Sequence, residues 1–216
     1  MFKEIFHNIK TQHPLIHNIT NYVTVNDCAN ILLAAGASPI MSDEEEEVAE
    51  ITAICSALNV NIGTLNKNTI RAMFAAAKKA SELQHPIVLD PVGAGASRLR
   101  TQTALSLLES VSFSVIRGNS SEIKTLAQGS GTTKGVDADS ADTVKGENLD
   151  SAVAFAKTFA AQQKCVVAIT GAIDIVADAK KAFVIYNGDA LMSRITGTGC
   201  QLSALTAAAV AAKAFL

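Results

Sequence analysis

Short apolar runs alternate with longer, amphipathic, alanine-rich stretches along most of the chain, and this alternation narrows the fold more than any other feature. The runs Leu15–Ile19, Ser38–Met41, Ala57–Ile62, Pro86–Asp90, Ser112–Ile116 and Cys165–Thr170 read as strands. The stretches Asn26–Ala35, Glu44–Leu58, Lys67–Leu83, Thr101–Glu109, Ser120–Ala127 and Asp150–Gln163 read as helices. Such alternation predicts an α/β fold, a mainly parallel central sheet with helices on both faces. A strand covered on both sides needs a continuous apolar run, and Ile87-Val88-Leu89 is one. After Thr170 the pattern changes: Ile173–Ala177 and Ala182–Tyr186, joined by Asp178-Ala179-Lys180-Lys181, read as a hairpin at a sheet edge. The polar stretch Gln128–Asp150 reads either as a disordered connection or as a mobile loop near a site.

Composition limits the function classes. The chain of 216 residues is 49% hydrophobic and 18% charged, too apolar for intrinsic disorder, and one domain spanning 1–216 is expected. With 18 Lys+Arg against 20 Asp+Glu the net charge is −2, and no basic stripe suits a nucleic-acid backbone. No apolar run reaches the roughly 18 residues of a membrane span, and the N-terminus lacks the pattern of a signal peptide. Cys28, Cys55, Cys165 and Cys200 lie far apart with no C-x-x-C pair, which points to a reducing compartment, the cytoplasm. The first three sit in apolar surroundings and read as core thiols. The acidic run Ser42–Glu47 reads as a capped helix start with a solvated face rather than a metal site.

Ligands of parallel sheets bind beyond the carboxyl ends of the strands, so the residues following each apolar run matter most. Ile87-Val88-Leu89 is followed by Asp90-Pro91-Val92-Gly93-Ala94-Gly95, and Ser114-Val115-Ile116 by Arg117-Gly118-Asn119-Ser120-Ser121-Glu122. Val167-Ala168-Ile169 is followed by Thr170-Gly171. Three strands thus deliver polar groups to one edge. Each also has a plainer reading: Asp90 as a turn former, Arg117 as a surface ion-pair partner, Glu122 as the third residue of a helix capped by Asn119. Ile195-Thr196-Gly197-Thr198-Gly199-Cys200 precedes an apolar helical stretch, Gln201–Leu216. Glycines that turn the chain tightly, followed by a helix start with its unpaired amides and positive dipole end, suit a phosphate. Cys200 at that helix start reads either as a reactive thiol or as a small residue tolerated there. Two acids for a metal, a cation and an anion hole suit phosphoryl transfer, whereas no nucleophile–His–acid set points to acyl transfer.

The chain resembles the hydroxyethylthiazole kinase family of the ribokinase-like superfamily. The segments that carry the resemblance are Pro14–Val23 (PLIHNITNYV), Gly36–Met41, Asn61–Leu65, Leu89–Ala96 (LDPVGAGA), Ile116–Asn119 with Glu122, Thr170-Gly171 and Thr196–Cys200 (TGTGC). The resemblance implies ATP-dependent phosphorylation of the primary alcohol of 4-methyl-5-(2-hydroxyethyl)thiazole, a salvage step toward thiamine. It implies that Met41 and Gly197 contact the thiazole, with Asn21 and Gly63 as neighbours, and that Arg117 and Thr170 contact ATP. Asp90 and Glu122 would lie at the Mg²⁺ and phosphate end, and Thr198, Gly199 and Cys200 would form the anion hole. Related sugar kinases carry an Asp where this chain has Cys200, so Cys200 is expected to assist proton transfer while the anion hole supplies more of the catalysis. The family is trimeric, with active sites between subunits, which implies a homotrimer.

Two other readings remain. One is a different ribokinase-like enzyme, such as a hydroxymethylpyrimidine kinase or a nucleotide-hydrate dehydratase; the Met41 segment and Cys200 argue against it. The other is a non-catalytic remnant that binds thiazole or nucleotide. Family members continue past the TGTGC helix, and Ala211–Leu216 carries no Gly, Asn or Pro stop, so the chain is expected to lack its last helices.

Overall fold

The computed structural model of the chain describes residues 2–129 and 142–213, and the expected strand–helix alternation runs through both stretches. Two compact units divide the chain, Met1–Leu89 with Gly197–Leu216, and Asp90–Thr196.

The first unit opens with α1 (Phe2–Gln12) and continues through β1 (Leu15–Ile19), α2 (Val25–Ala35), β2 (Ser38–Met41), α3 (Val48–Ile54), β3 (Ala57–Asn61), α4 (Lys67–Glu82) and β4 (Ile87–Asp90). Strand order is β2-β1-β3-β4, with β1 parallel to both neighbours: Ile16 lies opposite Pro39 on one side and Ala57 on the other. Every residue of β3 and β4 is buried, as strands covered on both faces require. Alanines at helical spacing, Ala72, Ala76, Ala77 and Ala80, form the buried face of α4, whose start is fixed by a capping box between Asn66 and Thr69. The helix Thr198–Lys213 completes this unit. Its buried face is again small (Ser203, Ala204, Ala207, Ala208, Ala211), and it packs on α1, α2, β1 and β3.

The second unit holds α5 (Arg98–Ser110), β5 (Val115–Asn119), α6 (Ser120–Gln128), α7 (Leu149–Gln163), β6 (Val166–Thr170), β7 (Asp174–Ala177) and β8 (Ala182–Ile185). In chain order the helix Thr198–Lys213 is therefore α8. Strands run β5-β6-β7-β8, the first pair parallel and the other two antiparallel. β7 and β8 form the expected hairpin, its turn closed by Asp178, whose Oδ1 accepts the Lys180 and Lys181 N–H groups at 2.6 Å. Residues 130–141 of the polar stretch Gln128–Asp150 lie outside the described residues, and the end of the stretch holds a 3-10 turn at Gly146–Asn148 and the start of α7.

Bounds differ from the sequence expectation at several elements (α5 starts three residues earlier, at Arg98), and two of these differences have a clear physical reason. The helix expected over Glu44–Leu58 shortens to α3, because Glu44–Glu47 turn in solvent and Ala57 and Leu58 are taken into the sheet beside Ile16 and His17. β5 lies three residues further along than expected, so Arg117, Gly118 and Asn119 are rungs of the ladder with β6 instead of a loop beyond it.

His17 ties strand to helix within the first unit. Its ring is fully buried, with Nδ1 2.9 Å from Thr52 Oγ1 of α3 and Nε2 2.9 Å from the Ser42 carbonyl. A carbonyl only accepts, so Nε2 carries the proton and the Thr52 hydroxyl donates to Nδ1. Burial lowers the His17 pKa and keeps the ring neutral. Thr52→Val keeps the shape and leaves Nδ1 buried without a donor, so stability measured by denaturant unfolding should fall by about 1–3 kcal/mol. A loss within measurement error would show that this bond does not hold α3 to β1.

Candidate functional site

Within the second unit, polar side chains gather at the carboxyl ends of the strands. Asp90 ends β4 with no exposed surface, and the partly buried Arg117 of β5 reaches it through Nη1, 3.4 Å from Oδ2. Arg117 Nη2 donates to Thr170 Oγ1 at the end of β6, at 2.6 Å. One guanidinium from the middle of β5 thus joins the ends of β4 and β6, and its Nε is buried with no hydrogen-bond partner among the described residues. Arg117 is therefore not the surface ion-pair partner of the plainer reading.

Glu122 does two jobs at once. Oε2 accepts the Asn119 N–H at 2.7 Å and closes a capping box at the start of α6, while Oε1 accepts the Gly93 N–H at 2.7 Å. The carboxylate thereby fastens the glycine loop after β4 to the helix after β5. Burial and the neighbouring Asp90 charge push its pKa up to about 7, against the pull of the two N–H donors and Arg117. A buried acid raised by the charge of a second acid beside it suits a cation. No group of three or more metal-ligating side chains occurs among the described residues, so such a cation would take further ligands from phosphate and water.

The first unit carries a separate group at the start of α8. Gly197 has φ +81, and a Cβ there would collide with Thr24 Cγ2, so only glycine lets the chain turn into this helix against α2. Gln201 N–H bonds back to the Gly197 carbonyl at 2.9 Å, and the amides before it, of Thr198, Gly199 and Cys200, belong to the first turn, which has no intrahelical acceptor. Cys200 is buried, with Sγ 3.2 Å from Asn21 Nδ2. Gly63 stands beside this pair, where a Cβ would lie 2.9 Å from Asn21 Nδ2. Met41 ends β2, half-buried, with Asn18 as its register partner. Sequence reasoning had not singled out Asn61 and Thr24, which hydrogen-bond Asn21, nor the Gly93 amide on Glu122. Asn61 ends an apolar strand just as Asp90 does, and the same rule could have found it.

The fold is that of the ribokinase-like superfamily: a solved structure of a superfamily protein from Enterococcus faecalis matches 97% of this chain and 78% of its own, at TM-score 0.63 and 13% identity. The chain belongs to the hydroxyethylthiazole kinase family, whose family model matches residues 6–215. A hydroxyethylthiazole kinase of Clostridium acetobutylicum is 64% identical over 212 residues, which is 98% of this chain and 78% of the relative. The solved hydroxyethylthiazole kinase structure from Pyrococcus horikoshii is 40% identical, with TM-score 0.85 over 96% of this chain and 75% of that one.

The raised value of Glu122 has a sign that unfolding can read. Its native pKa of about 7 exceeds the ordinary 4.5, so the native state binds the proton more tightly than the unfolded chain. The resulting stability is complete below the unfolded value and is lost as pH rises through about 7, roughly 3 kcal/mol in all. Glu122→Gln cannot ionise, so in EDTA its stability should fall less than that of the unaltered chain between about pH 5 and pH 8. Equal slopes would contradict this assignment.

Proposed function

We propose that the chain transfers the γ-phosphoryl group of ATP to the primary alcohol of 4-methyl-5-(2-hydroxyethyl)thiazole, a salvage step toward thiamine. The observation that carries the reading is the single arginine joined to Asp90 and Thr170 at the strand ends, with Glu122 buried beside it, in a chain of this kinase family.

In this reading Arg117 and Thr170 contact ATP. Arg117 offers a fixed planar fork to phosphate oxygens, and Thr170 holds that fork in place. Asp90 and Glu122 would hold Mg²⁺, which when bound neutralises charge on the phosphate oxygens. Glu122 also keeps the loop at Gly93 closed on α6, which fixes where the acids stand. In the first unit Met41 and Gly197 contact the thiazole. The amides of Thr198, Gly199 and Cys200 stabilise charge on the transferring group, aided by the positive end of α8. Cys200 takes the hydroxyl proton as the alcohol oxygen bonds to phosphorus; a loose transition state needs little deprotonation beforehand.

The same resemblance leads us to propose a homotrimer, in which exposed apolar side chains such as Tyr22, Val23, Met192 and Ile195 would find cover. A cytoplasmic setting accords with four buried cysteines, none of them in a disulfide. No helix among the described residues is long and apolar enough to cross a membrane.

A coupled assay for ADP release with the thiazole alcohol, ATP and Mg²⁺ tests the reaction. Turnover should depend on the alcohol, and Cys200→Ala should lower kcat by about tenfold or more. Thr170→Val, which frees Arg117 from its hydroxyl, should raise KM for ATP about three- to tenfold and leave KM for the alcohol unchanged. Equal turnover with hydroxymethylpyrimidine, or none with the thiazole alcohol, would overturn the reading.

A further inference from the structure

Asn21 joins the sulfur of Cys200 to Asn61 at the end of β3 by hydrogen bonds, and the direction of those bonds is fixed by a backbone amide. Gly63 N–H donates to Asn61 Oδ1 at 2.9 Å. An N–H can only donate, so the Asn61 atom at this point is its oxygen. That same oxygen lies 3.1 Å from the Asn21 side chain, whose facing atom must then be the amide nitrogen. Thr24 supports the assignment from the other side, its Oγ1 donating to Asn21 Oδ1 at 3.1 Å. Asn21 Nδ2 therefore points its second proton at Cys200 Sγ, 3.2 Å away. Asn21, Thr24 and Asn61 are all buried, with 5%, 2% and 0% exposure, so water does not compete for these bonds. Gly63 is required by the arrangement, since a Cβ there would crowd Asn21 and Asn61 Oδ1 at 2.9–3.0 Å.

We infer that Asn61 is a positioning residue: through Asn21 it presents an N–H to Cys200 and so holds the sulfur as a hydrogen-bond acceptor. The inference rests on the reading that Cys200 takes part in the transfer. An N–H aimed at the sulfur uses a sulfur lone pair as the acceptor and so fixes where the group stands and which way it faces. In the step this serves, the alcohol oxygen bonds to the γ-phosphorus and the bond to the bridging oxygen breaks, its electron pair leaving on ADP. The hydroxyl proton passes to the Cys200 thiolate and from there to solvent. Thr24 has the same role at one bond's remove, since it holds the Asn21 carboxamide from the opposite end.

Steady-state kinetics of the full chain, with ATP, Mg²⁺ and the thiazole alcohol, test this. Asn61→Leu, similar in volume but without the acceptor, should lower kcat about tenfold while KM for the alcohol changes less than threefold. Thr24→Val, which keeps the methyl group facing Gly197, should act in the same direction and more weakly, and it carries the test if Asn61→Leu fails to fold. In a Cys200→Ala background neither substitution should lower kcat further, because the residues then act through a sulfur that is gone. A full additional loss in that background would make the role merely structural and overturn the inference. Unchanged kcat in Asn61→Leu and Thr24→Val, with Cys200→Ala impaired, overturns the inference alone; unchanged kcat in Cys200→Ala overturns the reading beneath it as well.

Discussion

A carboxylate with no exposed surface at the end of an apolar strand cannot keep its charge without a partner, and the second unit is arranged around supplying one to Asp90. Arg117 provides the charge from the next strand, and Thr170 steadies Arg117 from the strand after that. Glu122 sits close enough to feel Asp90, and its two oxygens are taken by the amides of Gly93 and Asn119. The placement of the loop after β4, the start of α6 and the end of β6 thus follows from one buried charge. A group assembled in this way is costly for stability alone, and it makes physical sense where phosphate and a cation complete it.

The first unit handles polarity without charge. Its strands carry buried asparagines, Asn18, Asn59 and Asn61, and His17 is held neutral by burial. Carboxamides can donate and accept, so they pass hydrogen-bond direction along a chain of contacts without a net charge that would need a counter-ion. Small residues allow the close approach this needs: glycine at 63 and 197, and an alanine face on α8. The chemical division matches the two substrates of the proposed reaction, an anionic nucleotide and a neutral alcohol.

Much of this was legible in the chain. Asp90 closing Ile87-Val88-Leu89, and Gly197–Cys200 before an apolar helix, are local signals, and the structure has a strand end and a helix start at those places. Arg117 and Thr170 were legible as polar residues near strand ends, but their bond was not, since it joins positions 53 apart. The bounds of β5 were misjudged because Arg117-Gly118-Asn119 looks like a loop by composition, while pairing with β6 makes it strand. The helix expected from Glu44 ran too long because local helical period does not register the demand of the sheet for Ala57 and Leu58. Asn61 was hidden inside an apolar run, and its importance arises from a contact to Asn21, 40 residues away along the chain, and through it to Cys200, which lies 179 residues from Asn21. Local pattern reveals where chemistry can sit; tertiary contact decides which atom faces which.

In the proposed reaction the chain moves a phosphoryl group from ATP to a thiazole alcohol. Phosphorus-31 NMR of the purified chain with ATP, Mg²⁺ and the alcohol reads that transfer directly. The γ-phosphate resonance should be replaced by a phosphomonoester signal coupled to the CH₂ protons of the alcohol, with ADP formed in equal amount. Formation of inorganic phosphate alone, or persistence of ATP in the presence of folded protein, would contradict it.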